Sequence, residues 1–119
     1  MCWRAYDATR VYAYVADAVE GTVRAAFADV VGEVFNLGGG SRVSVNQVLR
    51  LLESILGRAA RLRYVEAQRG DARHTAADTN KAALALGYAP AVSLLTGLRA
   101  EAELLASLAT GQTVRLHER

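Results

Sequence analysis

The chain has 119 residues, of which 52% are hydrophobic and 22% are charged. This composition excludes an intrinsically disordered protein and suffices for a core, so we treat residues 1–119 as a single unit. The net charge is +2, and the arginines are spread along the chain between acidic residues. That distribution argues against a nucleic-acid-binding protein, which needs a clustered basic surface.

The cysteine content and the length of the apolar runs indicate the cellular compartment of the protein. The single cysteine, Cys2, cannot form an internal disulfide, so nothing favours an oxidising compartment. No apolar run approaches the roughly eighteen residues of a membrane-spanning helix, and the first residues lack the apolar segment of a secretory signal. We therefore expect a cytoplasmic protein with no membrane partner.

The first elements in chain order are a short strand and a helix. Residues 9–15 are β-prone and aromatic, which predicts a strand or an extended entry segment. Residues 16–29 predict an amphipathic helix, because apolar side chains recur there at helical spacing. The apolar residues of that spacing are Val15, Val19, Val23 and Phe27.

A strand, a glycine turn and a second helix follow. Residues 34–37 show little alternation between apolar and polar side chains, which predicts a strand covered on both faces. Three glycines end this strand. Ser44 is placed to cap the next helix, with Gln47 three residues later to complete a capping box. Gly57 ends that helix.

The second half of the chain predicts a strand, a long loop and two helices. Residues 61–65 alternate between arginine and apolar side chains, which indicates a half-exposed strand. Residues 66–77 are polar and without periodicity, and a loop of about a dozen residues favours a functional role. Asp78 is placed to cap a short helix, and Ser93 to cap the last helix. Gly97 lies inside that last helix, which suggests a packing constraint there.

The order strand, helix, strand, helix, strand, loop, helix, helix predicts an α/β fold. A complete doubly wound sheet uses about six strands, and this chain predicts three. We therefore expect part of such a fold.

The glycine turn does not complete a dinucleotide-binding motif. Gly38 and Gly40 occupy its first two glycine positions, but Val43 occupies the third, and no acid follows about twenty residues later. A tight strand-to-helix turn is the simpler interpretation. None of the five tyrosines is followed by lysine four positions later, so the Tyr-x-x-x-Lys pair of short-chain dehydrogenases is absent.

The sequence also gives no candidate for a metal ligand or a nucleophile. Cys2, His74 and His117 are not at zinc-site spacing. His74 lies between Asp71 and Asp78, which permits an acid/base pair, but a solvent-exposed role for this histidine is the simpler interpretation.

Three segments together resemble the carboxy-terminal part of NAD-dependent epimerases and dehydratases, within the extended short-chain dehydrogenase/reductase family. The family carries segments like TRDF.YVDDV, GEVFN(L/V)GGG, and (R/Q)PGD.R.(S/T)YADI.KA followed by LGY.P.(V)SL.EGL. Outside the glycine-rich segment, which covers residues 32–40, the matching residues are Thr9, Arg10, Tyr12, Tyr14, Val15, Asp17, Gln68, Gly70, Asp71, Arg73, His74, Thr75, Ala77, Asp78, Lys81, Ala82, Leu86, Gly87, Tyr88, Pro90, Ser93, Leu94, Gly97 and Leu98.

The resemblance implies a partial Rossmann-like fold, the substrate-binding portion of an enzyme like the UDP-glucose and UDP-glucuronate 4-epimerases. It implies that Arg10 contacts the diphosphate of a nucleotide sugar and that Asp71 accepts hydrogen bonds from the ribose. Guanidinium suits phosphate and carboxylate suits a diol. Gln68 stands where many 4-epimerases have a second phosphate-binding arginine, a role that Arg69 or Arg73 could take here.

The resemblance places the family's chemistry outside this segment. The glycine-rich NAD site and the catalytic tyrosine and lysine of such enzymes lie upstream of the matching region, so we expect no catalytic, cofactor-binding or metal-binding residue here. NAD is implied only for a full-length member, which moves hydride from a sugar carbon to NAD with tyrosine as base.

Two hypotheses follow for the isolated chain. In the first, it is the nucleotide-sugar-binding portion of an epimerase or dehydratase, binds its ligand weakly or not at all, and has no activity alone. In the second, it is a non-catalytic module that pairs with a Rossmann-bearing chain or with itself through exposed edges. The sequence leaves open which nucleotide sugar is bound and whether the reaction is epimerisation or dehydration.

Overall fold

A computed structural model describes residues 8–63, 70, 72 and 74–110, and within them two strands and four helices. In chain order these are β1 (Thr9–Val11), α1 (Val15–Phe27), β2 (Arg42–Ser44), α2 (Val45–Leu56), α3 (Asn80–Leu86) and α4 (Leu94–Ala109). The two strands form an antiparallel pair in which Arg10 faces Val43 in register. Helix α2 packs against α4, and α1 packs against α3.

Helix α2 begins and ends as its local sequence predicts. The Ser44 hydroxyl accepts from the Gln47 amide at 3.2 Å, and the Gln47 side chain accepts from the Ser44 amide at 3.0 Å. These reciprocal bonds form the predicted capping box. Gly57 ends the helix in the left-handed conformation, with φ 63°.

The last helix, α4, also begins at its predicted cap. The Ser93 hydroxyl accepts from the Thr96 amide at 3.1 Å and lies 2.8 Å from the Thr96 hydroxyl. Gly97 packs one turn into this helix against Tyr14, where a β-carbon would lie 3.0 Å from the ring carbon Cδ2. This contact is the packing constraint that the sequence suggested.

The core is small and lies between α1, α3 and the segment after α3. Its buried residues are Ala82, Leu86 and Tyr88, and partly buried side chains from residues 25–37 pack around them. Helix α1 turns Asp17 and Gly21 toward this core, and both are buried. A helix that buries an acid and a glycine contributes little apolar area to the core.

The apolar stripe of the predicted amphipathic helix α1 points away from the described core. Val15, Val19, Val23 and Phe27 are 67, 55, 46 and 88% exposed. The sequence spacing was right about which residues share a face. It could not show that the inner face is made of smaller residues.

Two predicted strands are not formed within the described residues. Residues 34–37 form no ladder, and residues 61–63 of the second prediction are exposed and irregular, while 64 and 65 lie outside the described residues. A strand exists only through hydrogen bonds to a neighbour. In the described part of the chain no segment pairs with residues 34–37, so high β-propensity alone does not make a strand there.

Candidate substrate-binding site

Arg10 lies at the centre of the described sheet. It is half-buried in β1, and its Nη1 donates to the carbonyl oxygen of Thr9 at 3.1 Å. The pairing with β2 fixes its backbone on one edge. A guanidinium presents a planar set of hydrogen-bond donors.

The other edge of β1 is tied to the loop that precedes α3. Thr9 and His74 form a parallel bridge, and the Thr75 amide donates to the Thr9 carbonyl at 3.1 Å. The Thr9 hydroxyl lies 2.8 Å from Nδ1 of His74. The structure thus brings the end of the predicted functional loop next to Arg10.

Sequence reasoning gave Thr9 and His74 no binding role, and no local signal could have done so. The two residues are 65 positions apart, and neither stands in a motif that names the other. Of the four predicted substrate-binding residues, Gln68, Asp71 and Arg73 lie outside the described residues. Their roles remain predictions, and only Arg10 has an observed environment.

The glycine turn packs against the segment that follows β1. A β-carbon on Gly39 would lie 1.7 Å from the carbonyl oxygen of Tyr12, so only glycine fits there. The Tyr88 hydroxyl donates to the Gly38 carbonyl at 3.0 Å in a buried contact. Close packing against residues 12 and 88 therefore accounts for the glycine at position 39 and holds the turn in place.

A buried carboxylate holds the segment that links α3 to α4. The two oxygens of Asp17 accept from the amides of Ala91 and Val92 at 3.0 and 3.1 Å. Burial, and to a lesser extent the charge of Asp17, raises the pKa of the nearby Tyr88 hydroxyl. Asp17 thus fixes residues 91 and 92 against α1.

Two clefts adjoin this segment. The larger, of about 410 Å³, lies between residues 12–15 and the first three turns of α4, with Tyr12, Tyr14 and Glu101 in its lining. The smaller, of about 300 Å³, lies between Gly39, Gly40, Ser41 and residues 90–94. Arg10 lines neither cleft, so neither contains the predicted phosphate contact.

Two structural features are absent from the residues that the structure describes. No cluster of three or more histidine, cysteine, aspartate or glutamate side chains there could hold a metal ion. Among those same residues, no helix has the length and apolarity required to span a membrane.

Known proteins similar to the chain include enzymes of nucleotide-sugar metabolism. The uncharacterized UDP-glucose epimerase YtcB of Bacillus subtilis is 39% identical over 105 residues, which are 87% of this chain and 33% of the relative. The UDP-glucuronic acid 4-epimerase of Bacillus cereus, solved with UDP-glucuronic acid and NAD, superposes with a TM-score of 0.83. It is 35% identical, over 87% of this chain and 33% of that chain.

The chain is homologous to the carboxy-terminal part of NAD-dependent epimerases and dehydratases. A second solved member, the UDP-glucose 4-epimerase of Thermotoga maritima with UDP-glucose, has a TM-score of 0.82 at 33% identity, over 92% of this chain and 35% of that chain. No family model matches the chain. The predicted fold class, a carboxy-terminal portion of a Rossmann-like extended short-chain dehydrogenase fold, is confirmed by these superpositions.

The extent of the match limits what the family implies for this chain. It spans about a third of the length of the relatives that it matches. The ligands seen in the two epimerase structures belong to those proteins.

Proposed function

We propose that this chain forms the nucleotide-sugar-binding portion of an NAD-dependent epimerase or dehydratase and has no activity by itself. The observation that carries the proposal is the placement of Arg10. It lies half-buried in a strand that is held on both edges, in a fold that superposes on epimerases solved with UDP-sugars. The hydride acceptor in such a protein would be NAD, held by residues outside this chain.

Arg10 suits a diphosphate because guanidinium binds phosphate oxygens through two parallel hydrogen bonds. The partial burial of this residue lowers the local dielectric, which strengthens the attraction to an anion. Asp71, three residues before His74 in the sequence, is proposed to bind the ribose hydroxyls. Arg73 and Gln68 are proposed to contact the same ligand, with Arg73 supplying the second positive charge.

Isothermal titration of the chain with UDP tests this role. Arg10→Gln retains most of the aliphatic stem and removes the charge, and we expect it to weaken UDP binding at least about tenfold, the value of one charge-assisted hydrogen bond. Arg50→Gln, at an exposed position on α2, is the matched control and should bind as the parent does. Equal affinities for the parent and Arg10→Gln would contradict the proposal.

A second candidate function, a module that pairs with another chain, is favoured by the outer face of α1. Four large apolar side chains at consecutive turns of this helix are exposed, and Val31 and Val34 are 93 and 79% exposed. Exposed apolar patches of this kind mark interaction surfaces. The proposed occupant is the NAD-binding portion of a family member, and a second copy of this chain is the alternative.

Sedimentation velocity across a hundredfold range of concentration distinguishes these occupants. Self-association that the double variant Val19→Gln/Phe27→Gln removes would favour a second copy. Suppose instead that the chain is a monomer at every concentration and binds a recombinant NAD-binding portion of YtcB. If the same double variant abolishes that binding, the result favours the Rossmann-bearing partner. A monomer that binds no such partner would contradict the module.

A further inference from the structure

Residues 33–37 have the side-chain pattern of a strand but no strand beside them in the described part of the chain. Their exposure alternates, with Phe35 and Leu37 half-buried against the core and Val34 and Asn36 exposed. Among the described residues, none of their amides or carbonyls bonds to another backbone group. A row of unpaired backbone groups is an edge at which another strand can add.

The carboxyl end of this segment is held in place by two close contacts. The Leu37 side chain packs on α1 at Gly21, where a β-carbon would lie 2.8 Å from Cδ1 of Leu37. The Tyr88 hydroxyl donates to the Gly38 carbonyl at 3.0 Å in a buried contact. A strand whose shape is fixed before pairing loses less conformational entropy when a partner binds.

The amino end of the segment is held more weakly, by Lys81 of α3. Nζ of Lys81 bonds to the Glu33 carboxylate and lies 5.1 Å from the centre of the Phe35 ring. Exposed contacts of this kind contribute little to stability, but they link the start of the segment to the same helix that forms the core. The Val34 side chain, on the other face, is 79% exposed. The segment is therefore held on its core face and open on the other.

The uncovered face of α1 indicates the kind of sheet that the segment fits. In a parallel sheet, helices connect successive strands and pack their apolar faces on the sheet, so that both faces are covered. Helix α1 precedes residues 33–37, yet its largest apolar side chain, Phe27, is 88% exposed. The chain spans about a third of its relatives, one of which was solved with NAD. A sheet in the NAD-binding portion of such a protein matches both open surfaces.

We propose that residues 33–37 are a preorganised docking strand, which pairs with the edge strand of the sheet in a separate NAD-binding portion. Tyr88 and Lys81 are positioning residues that hold this strand in shape before the partner binds. The proposal rests on the partner module given above as the second candidate function, and it names the backbone groups that bind that partner. The outer face of α1 supplies apolar contact, and the docking strand fixes the register.

Amide hydrogen exchange with and without the partner measures the pairing directly. The partner is an NAD-binding portion of YtcB that captures the 105 matching residues of YtcB itself, which shows that it is folded and open. Amides within residues 34–37 should exchange freely in the chain alone and at least about a hundredfold more slowly in the complex, while α2 amides are unchanged.

The outcomes separate the docking strand from the partner module. If the chain binds the partner and residues 34–37 gain no protection, the docking strand is overturned and the module stands, because the outer face of α1 then binds alone. If the chain does not bind this partner, both are overturned. Protection of residues 34–37 that instead rises with the concentration of the chain alone would show pairing with a second copy and overturn the proposal.

A lysine on the open face of the strand should block docking without disturbing the free chain. Val34 and Leu84 are 79 and 89% exposed, so Val34→Lys and its control Leu84→Lys place the same charge at exposed positions. Docking buries only the first of these ammonium groups, which is costly. Isothermal titration with the partner should show at least about tenfold weaker binding for Val34→Lys and a change within about twofold for Leu84→Lys. Equal losses in the two variants would overturn the proposal.

The positioning residues are tested by affinity together with a signal from the free chain. Tyr88→Phe should weaken partner binding about fivefold and Lys81→Met about twofold, in line with a buried and an exposed contact. In each variant without partner, the Cα chemical shifts of residues 34–37 should move toward random-coil values while those of α2 stay unchanged. Lys81→Arg should restore both. Parent-like shifts and affinity in Tyr88→Phe would overturn the positioning role.

Discussion

The two faces of α1 pack in opposite ways. The inner face carries Asp17 and Gly21, which are buried against the core and the segment after α3. The outer face carries the large apolar residues, and Phe27 is 88% exposed. A surface helix of a globular domain has the reverse arrangement, with its larger apolar residues inward.

The difference between the faces shows that α1 has the composition of a helix covered on both sides. Among the residues that the structure describes, only the inner face is covered, by specific contacts that involve little apolar area. The stability of the chain should therefore depend on a few polar and close-packed contacts of the inner face. The outer face should matter for association and not for folding.

The largest expected effect comes from removing the buried carboxylate of the inner face. Asp17→Ala leaves the amides of Ala91 and Val92 without an acceptor, which should lower the free energy of unfolding by about 3 kcal/mol. Asp17→Asn keeps one acceptor oxygen and should lose about half as much. Urea denaturation measures both. A loss below about 0.5 kcal/mol for the alanine variant would show that α1 does not depend on this contact.

A smaller effect is expected for the buried hydroxyl next to Asp17. Tyr88→Phe removes the bond to the Gly38 carbonyl and should cost about 1 kcal/mol in urea denaturation at pH 7. Its pH dependence follows from the raised pKa of Tyr88, whose usual value is 10.0. The folded state holds this proton more tightly, so the stabilisation is complete below pH 10 and is lost as pH rises through the folded-state pKa.

The difference in the free energy of unfolding between the parent and Tyr88→Phe isolates the titration of Tyr88 from that of the other tyrosines. It should stay constant from pH 7 to 9 and shrink at higher pH, because the parent alone loses the benefit of a buried neutral hydroxyl. A difference that grows above pH 10 would contradict the sign of the pKa shift.

The outer face should tolerate substitution without loss of stability. Val19→Gln/Phe27→Gln exchanges exposed apolar side chains for a better helix former, so the free energy of unfolding should stay within about 0.5 kcal/mol of the parent. Thermal and urea unfolding both check this. A loss above about 1 kcal/mol would mean that these side chains pack within the chain after all.

The smallest effect is expected from an exposed ion pair outside α1. Nζ of Lys81 lies 2.5 Å from Oε2 of Glu33 and 5.1 Å from the centre of the Phe35 ring. The hydrogen bond and charge of Lys81 lower the pKa of Glu33 below 4.5. The slight stabilisation from this ion pair is present above pH 4.5 and is lost as the pH falls through the lowered pKa of Glu33. A side-chain carbon titration should show the Glu33 midpoint rise in Lys81→Met, and an unchanged midpoint would rule the pair out.

The sequence predicted what depends on neighbours along the chain. The Ser44 and Gln47 capping box, the Gly57 stop and the Ser93 cap are all local arrangements, and each forms as expected. The strand at residues 34–37 was wrong for the described structure, because pairing depends on a partner that sequence spacing does not identify. The periodicity of α1 likewise grouped the right residues without showing which face the core covers.

The candidate site was predictable only in part, for the same reason. Arg10 was found through family motifs, and its place in a paired strand suits the predicted role. The contact between Thr9 and His74 joins segments that are 65 residues apart, so only the folded structure shows it. Local patterns cannot identify such a contact, since either residue alone is an ordinary surface residue.

A thermal unfolding scan with and without UDP tests the central claim most directly, namely that this chain binds a nucleotide diphosphate through Arg10. At a hundred times the dissociation constant a ligand adds about 2.7 kcal/mol, which raises the melting temperature of a chain this size by several degrees. The account predicts a cooperative melt that rises with UDP in the parent and in Arg50→Gln, and much less in Arg10→Gln. A melt that millimolar UDP leaves unchanged, or that rises equally in Arg10→Gln, would contradict it.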